Sequence, residues 1–295
     1  MPVLPPPCRD DVLRDVQRAL AEDIGSGDVT ADLLPLSAQA QARIVTRQAM
    51  VLCGRDWVDA CFHALDPQTR LDWQAADGDT LAAGALLCRI EGAARALVSA
   101  ERTALNFLQT LSATATATAA HVDAVRGTRA RILDTRKTLP GLRLAQKYAV
   151  RTGGGHNHRI GLFDAVLLKE NHIATAGSIS AAVSRARALH PELLLETEVE
   201  NFQELREAIA AGVDRIMLDE FELHELAQAV AETAGRVPLE VSGSVTLERV
   251  RAIAETGIDY ISIGALTKHI RAIDLSMRID SIIPEAAGGH AETGH

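Results

Sequence analysis

The sequence predicts an α/β protein, a small N-terminal α+β domain followed by an incomplete (β/α) barrel, and three observations lead there. Beyond Ala130, short apolar runs alternate with segments of helical period through six or seven units. That is the pattern of a parallel sheet covered by helices, with fewer units than the eight of a complete barrel. Before that point, isolated helix and strand segments are separated by turn residues. The composition, 47% hydrophobic yet only 3% aromatic, requires a core of Ala, Leu, Ile and Val, which suits helices packed on a parallel sheet. A length of 295 residues accommodates two modest domains. They are expected at 1–112 and 113–273, with 274–284 returning to the first and 285–295 forming a disordered tail.

Taken in order, the Pro-rich residues 1–8 read as a loose arm. Asp10 or Asp11 caps a helix that carries Val12, Val16, Ala19 and Leu20 on one face. Glu22-Asp-Ile-Gly-Ser-Gly-Asp-Val-Thr30 breaks it, because its glycines and aspartates favour turns. Residues 42–46, 70–75 and 85–90 read as strands and 57–65 as a helix. A long helix from Ala93 to Val125 bridges the domains. Its Thr-rich segment Ser112-Ala-Thr-Ala-Thr-Ala-Thr118 is expected to interrupt or kink it, since β-branched side chains are stiff. Barrel strands are expected at 130–133, 165–168, 193–199, 215–218, 238–241 and 260–263. Helices are expected at 142–150, 179–189, 202–210, 223–234 and 247–254, with a short one near Leu266. The alternating run Leu275–Ile283 reads as a last strand, and the Gly-, Ala- and His-rich residues 284–295 as the tail.

The chain carries a net charge of -9, yet between Arg126 and Arg159 nine Lys or Arg oppose one acid, Asp134. These residues sit among glycines and at the ends of apolar runs rather than at helix-surface spacing. They therefore read as a pocket for a strongly anionic small molecule, with Arg offering a planar fork and Lys a point charge. A nucleic-acid surface is disfavoured, because nine aromatic residues in the whole chain leave no interleaving of bases and basic groups. No apolar run reaches the length of a membrane span, and the N-terminus lacks a signal-peptide pattern. Cys8, Cys53, Cys61 and Cys88 show no C-x-x-C pairing and read as buried small hydrophobes in a reducing cytoplasm rather than a disulfide or zinc framework.

In a parallel barrel the functional groups lie at the C-terminal strand ends. Here those ends carry Asp134, Arg136 and Lys137; Lys169; Glu198 and Glu200; Asp219; Ser242-Gly243-Ser244; and Gly264. The cations Arg136, Lys137, Arg159 and Lys169 suit an anion. Glu198 and Asp219 would repel that anion unless a divalent cation or a developing positive charge lay between. Ser242-Gly243-Ser244 and Gly264 expose backbone N–H groups before helices, as a monophosphate site does. The implied ligand has carboxylates, a phosphate and a divalent metal. In His156-Asn157-His158 a metal-binding reading lacks a third ligand of fitting spacing; His158 suits a positioning role beside Arg159, and His156 a structural one.

Six segments carry a further signal: Glu22–Thr30, Glu101-Arg-Thr-Ala-Leu-Asn-Phe-Leu-Gln-Thr-Leu-Ser112, Asp134-Thr-Arg-Lys-Thr-Leu-Pro-Gly-Leu-Arg143, Gly153-Gly-Gly-His-Asn-His-Arg-Ile-Gly-Leu162, Lys169-Glu-Asn-His172 and Glu198-Val-Glu200. In that order they resemble the quinolinate phosphoribosyltransferases. The resemblance implies an N-terminal α/β sandwich domain, an open (β/α) barrel of the type II phosphoribosyltransferase kind, and a cytoplasmic homodimer, or an oligomer of dimers, whose active sites are completed across the interface. It implies a reaction of quinolinate with phosphoribosyl pyrophosphate and magnesium, giving nicotinate mononucleotide, pyrophosphate and carbon dioxide.

By position, the resemblance implies that Arg102 of a neighbouring chain, Arg136, His158, Arg159 and Lys169 hold the two carboxylates of quinolinate. Lys137 and Lys169 face the phosphoribosyl donor and are the two candidates for protonating the ring carbon. Glu198 and Asp219 bind the ribose and a hydrated metal, and Ser242, Gly243, Ser244 and Gly264 hold the 5′-phosphate. The chain departs from the usual family pattern at Leu218-Asp-Glu220, Ser242-Gly-Ser244 and Ser112-Ala-Thr-Ala-Thr116. Rival readings are a relative acting on another ring acid, an aldolase using Lys169 as a Schiff-base amine, and an RNA-binding protein.

Overall fold

The computed structural model describes residues 7–283; the tail expected over 284–295 and nearly all of the arm expected over 1–8 lie outside the described residues. The described chain divides into two compact units, one of residues 7–113 with 271–283 and the other of residues 114–270.

In the first unit, α1 (Arg9–Ile24) buries Val12, Val16 and Leu20. Its N-cap is Cys8 rather than Asp10 or Asp11, and Asp11 contributes from inside the first turn by accepting the Cys8 N–H at 3.1 Å. Cys8 is exposed, contrary to the buried place expected of it, whereas Cys53, Cys61 and Cys88 are buried as expected. There follow β1 (Gln39–Thr46), β2 (Met50–Val51), α2 (Arg55–Leu65), β3 (Arg70–Trp73), β4 (Thr80–Leu81) and β5 (Leu86–Ala93). Two indoles tie the layers together: Trp57 Nε1 donates to Asp15 on α1 at 3.2 Å, and Trp73 Nε1 donates to Asp59 on α2 at 2.8 Å.

Helix α3 (Ala94–Ala124) runs 31 residues without the interruption expected at Ser112–Thr118. The hydroxyls there are satisfied where they stand. Thr118 Oγ1 donates to the Thr114 carbonyl at 2.8 Å, and Ser112 Oγ accepts from Cys53 N at 3.0 Å and donates to Cys53 O at 3.1 Å. All three side chains are buried, so packing overrides the weak helix preference of the β-branched residues.

The second unit continues with β6 (Arg131–Leu133), α4 (Arg143–Thr152), β7 (Val166–Leu168), α5 (Glu170–Ala176), α6 (Ile179–Leu189), β8 (Leu195–Val199), α7 (Phe202–Ala211), β9 (Arg215–Leu218), α8 (Leu223–Thr233), β10 (Leu239–Val241), α9 (Leu247–Glu255), β11 (Tyr260–Ser262) and α10 (Ala265–Lys268). Helix α5 was not expected; it buries none of its residues, so it leaves no apolar period in the sequence. The six strands form one sheet in the order β6-β11-β10-β9-β8-β7. Its pairs are parallel, and β6 and β7 stand at opposite edges, so the barrel is open. Ile132, Leu168, Leu195, Ile216, Leu218, Leu239 and Ile261 point to the helices and form the core with them. Strand alternation sends Glu196, Glu198, Arg215, Met217, Glu240 and Ser262 to the opposite face, the barrel interior. The last strand, β12 (Leu275–Ile283), belongs to the first unit, where it pairs antiparallel with β1 in the order β12-β1-β5-β3.

Candidate active site

Asp134, just beyond β6, is fully buried. Its carboxylate accepts from Lys147 Nζ at 2.5 Å, from the His158 backbone N–H at 2.8 Å and from Asn157 Nδ2. Lys147 Nζ also donates to the His158 carbonyl at 2.9 Å. Burial pushes the Asp134 carboxyl up and the Lys147 amine down, each partner's charge opposing the shift of the other. The three donors converging on Asp134 favour the ionised pair. Asp134 thus fixes the stretch 156–159 beside β6, where a parallel bridge joins Leu133 and His156.

The glycines before that stretch serve packing. A Cβ at Gly153 would sit 2.3 Å from the Ala115 carbonyl oxygen, and one at Gly155 would sit 2.7 Å from Thr118 Cγ2. Both contacts are with α3, so the strip of small residues lets the loop lie against that helix. Gly153→Ala is expected to cost about 1–3 kcal/mol, toward the upper end because the obstacle is backbone. A fall in the midpoint of urea unfolding would register it, and an unchanged midpoint would exclude it.

The loop after β6 is held as firmly. Gln146, buried on α4, accepts the Leu139 N–H at 2.8 Å and donates to the Thr267 carbonyl at 2.9 Å, and Thr267 Oγ1 donates to the Lys137 carbonyl at 2.8 Å. These contacts fix the loop that carries Arg136. Arg159 is 9% exposed, with Nη1 donating to the Ala165 carbonyl at 3.2 Å. Burial and the neighbouring Arg136 charge lower its pKa, while Glu196 and Asp164 oppose them. Arg136 Nε is buried and has no hydrogen-bond partner among the described residues.

The basic surplus seen in the sequence therefore splits. Arg126 pairs with Asp123, Arg129 with Asp259 and Lys147 with Asp134, and Arg143 is spent on Thr138 and the Ile160 carbonyl. Arg131 starts β6 and Arg151 lies in the last turn of α4, which leaves Arg136, Lys137 and Arg159 near the strand end.

Around the sheet, Lys169 begins α5 and its Nζ lies 2.7 Å from Glu198 Oε2. Glu198 and Asp219 interact directly; burial first, then the Asp219 charge, raises the Glu198 pKa, and Lys169 opposes both. Asp219 N is bonded to the Val199 carbonyl at 3.0 Å, which sets it beside the end of β8. Glu200 lies apart, exposed at the start of α7 with its N–H on Glu204. Ser242-Gly243-Ser244 leads into α9, and Gly243 has φ 132, a conformation suited to glycine. This loop lines a cavity of about 140 Å³ with Glu220, Phe221 and Arg249. Gly264 opens α10, and a Cβ there would lie 2.9 Å from Lys137 Cδ, so the lysine stem crosses over it. Arg102 is exposed on α3 within the first unit.

His158 turns its ring into the barrel, with Nε2 3.0 Å from Glu196 Oε2 and 3.6 Å from Glu240 Oε1. Burial lifts both of these carboxyls to about 7 and depresses the imidazole. Glu196, Glu240 and Arg215, which pairs with Glu240 at 2.9 Å, went unassigned from the sequence. The available signal was a charged residue in the middle of a short, otherwise buried strand, where two-residue alternation points it away from the helices.

Residues 114–278 match the C-terminal domain and residues 28–112 the N-terminal domain of quinolinate phosphoribosyl transferases. The chain belongs to the quinolinate phosphoribosyltransferase family. It is 42% identical over 281 residues to the nicotinate-nucleotide pyrophosphorylase (carboxylating) of Mycobacterium leprae, covering 92% of this chain and 98% of that one. To the probable nicotinate-nucleotide pyrophosphorylase (carboxylating) of Bacillus subtilis it is 40% identical over 259 residues, covering 88% and 90%. The solved nicotinate-nucleotide pyrophosphorylase of Francisella tularensis aligns with a TM-score of 0.92 at 46% identity, covering 95% of this chain and 99% of that one. Among quinolinate phosphoribosyltransferase features, the departure at Glu220 stands out structurally. Glu220 has φ 58, a left-handed conformation that Asn tolerates better than Glu.

Proposed function

We propose that this chain transfers the phosphoribosyl group of phosphoribosyl pyrophosphate to quinolinate with loss of carbon dioxide, giving nicotinate mononucleotide and pyrophosphate for NAD biosynthesis. One observation carries the reading: a buried Arg136 N–H is left unmatched in the loop that follows β6. The Arg136 charge is felt at Arg159, and a bound dicarboxylate offsets the repulsion between the two cations. Arg136 and Arg159 hold the carboxylates, Lys169 lies beside them, and Lys137 faces the donor. Ser242, Gly243, Ser244 and Gly264 take the 5′-phosphate.

Glu198 and Asp219 face the ribose, where they stabilise the positive charge that develops at C1 as pyrophosphate leaves. Their carboxylates, with Glu198 raised by burial first and by the Asp219 charge second, also fit a hydrated magnesium ion, a hard cation held by few protein oxygens. Bound there, magnesium would supply charge neutralisation for the pyrophosphate. The ring nitrogen attacks C1, and the positive charge on the resulting pyridinium nitrogen stabilises the carbanion left on the neighbouring ring carbon when the adjacent carboxylate leaves as carbon dioxide. Lys137 or Lys169 then delivers a proton to that carbon. The aldolase alternative is disfavoured, since the Lys169 amine is ion-paired with Glu198. The buried thiols of Cys61 and Cys88 agree with a cytoplasmic setting.

Release of carbon dioxide from carboxyl-labelled quinolinate tests the reaction. Release should require both phosphoribosyl pyrophosphate and magnesium, and its absence from folded protein would move the substrate to another ring acid. The chain acts as a homodimer with Arg102 supplied by the partner. Exposed Arg102 and the exposed apolar pair Leu162 and Phe163 support this. Mixing Arg102→Ala subunits with Asp219→Ala subunits under exchange should restore about one quarter of wild-type activity, because half the dimers are mixed and each has one intact site. No recovery would put Arg102 in its own chain's site.

A further inference from the structure

We propose that Glu196 and Glu240 are positioning residues of the quinolinate subsite, acting through the His158 ring on Arg159. The proposal rests on the reading of Arg159 as a carboxylate-binding residue and adds what holds it in place. The Arg159 N–H donates to His158 Nδ1 at 2.8 Å. An accepting Nδ1 carries no proton, so the neutral ring bears its proton on Nε2. That nitrogen faces Glu196 Oε2 at 3.0 Å and Glu240 Oε1 at 3.6 Å. The two carboxylates are 1% and 0% exposed, and no solvent competes for the Nε2 proton.

The acceptors are themselves anchored. Arg215 Nη1 lies 2.9 Å from Glu240 Oε2, and its guanidinium stacks over the Tyr260 ring at 4.1 Å. Glu196 is the register partner of Arg215 between β8 and β9, and Glu240 is that of Tyr260 between β10 and β11. Four adjacent strands therefore contribute one interior layer that grips the imidazole. From the other side, Asp134 accepts the His158 N–H and Lys147 donates to its carbonyl. With both backbone groups and Nδ1 engaged, and with Nε2 turned into the barrel beside the two buried carboxylates, His158 presents no ring nitrogen to the substrate. It works instead as the bracket between the barrel interior and the Arg159 backbone, a placement that keeps the guanidinium preorganised.

The ligand atoms of His158, Glu196 and Glu240 also lie within 4.8 Å of one another, a spacing that a metal ion accepts. Arg215 already supplies the cation opposite Glu240, and a metal on Nε2 would have to replace the proton that the Nδ1 contact assigns there.

The test is steady-state kinetics of Glu196→Leu, Glu196→Gln and Arg159→Ala, with nitrogen-15 NMR of histidine-labelled wild-type enzyme. Glu196→Leu should raise the quinolinate KM about tenfold, the effect of taking away the acidic neighbour of a buried ring N–H, with little change in kcat or in the KM for phosphoribosyl pyrophosphate. Glu196→Gln, which keeps an acceptor oxygen, should recover most of that loss. The His158 signals should report the Nε2–H tautomer. Equal behaviour of the Leu and Gln variants, an Nδ1–H tautomer, or a stoichiometric transition metal bound through His158 in the purified protein would overturn the proposal. If Glu196→Leu does not fold, the wild-type tautomer decides. Arg159→Ala separates the two levels: a raised quinolinate KM there with a normal one in Glu196→Leu defeats the positioning role alone. A normal quinolinate KM in Arg159→Ala defeats the subsite assignment itself.

Discussion

Asp219→Asn should lower kcat about a hundredfold to a thousandfold while leaving the quinolinate KM nearly unchanged. The substitution removes a charge without changing volume, and that charge matters most when C1 of the ribose becomes cationic. The effect would not arise by silencing its neighbour. Asp219 is one of the influences that raise the Glu198 pKa, so its loss makes Glu198 easier to ionise. Arg136→Ala should show the opposite division. It removes one of the cations proposed to hold the carboxylates and should mainly raise the quinolinate KM, with a smaller change in kcat. Steady-state kinetics on both variants checks the contrast. Small and equal effects on both parameters would mean that the strand ends of β6 and β9 do not form the site.

Lys147→Ala should destabilise the fold by about 3–5 kcal/mol, the usual cost of removing one partner from a buried ion pair. Lys147 and Asp134 are 1% and 0% exposed, so water cannot take the place of the missing ammonium. The carboxylate would keep the His158 N–H and the Asn157 amide, both neutral donors. Burial already pushes the Asp134 pKa up, and loss of Lys147 removes its main opposing influence. A carboxyl whose folded pKa lies above its unfolded one favours the fold most at acid pH. The variant should therefore lose stability, relative to wild type, as pH rises from acid to neutral. Denaturant unfolding at two pH values measures this. A loss below about 1 kcal/mol at neutral pH would show that the pair is replaceable by simple repacking. Asp134→Asn in the same chain should recover part of the loss, since it removes the unpaired charge.

The alternation of strands and helices after Ala130 was legible because each barrel strand is a short apolar run and each covering helix repeats its apolar face. β9 and α6 fall where that reasoning puts them, at Arg215–Leu218 and Ile179–Leu189. The strand-end positions of Lys169, Glu198, Asp219 and Ser242 followed from the same alternation, because a parallel sheet places every C-terminal end on one side. Helix α5 was hidden because it has no buried face, and the unbroken α3 because buried partners for its hydroxyls are invisible to propensity.

Charge was the hardest property to read. Lys137 and Lys147 are equal members of one basic run in the sequence, yet one stands at the barrel mouth and the other lies buried against Asp134. Arg136 and Arg159 are separated by a loop, a helix and three glycines. Their placement depends on Gln146, Thr267 and Asp134, which fasten the two segments that carry them. Glu196 and Glu240 stood in plain sight within apolar strands, but only the sheet register sets them in one layer with Arg215 and His158. Local pattern, which is set by burial along one element, determined the architecture and the types of group at its strand ends. The pairing of those groups, and the choice of which charges stay open to a ligand, depended on contacts between residues far apart in the chain. Only the tertiary structure decided them.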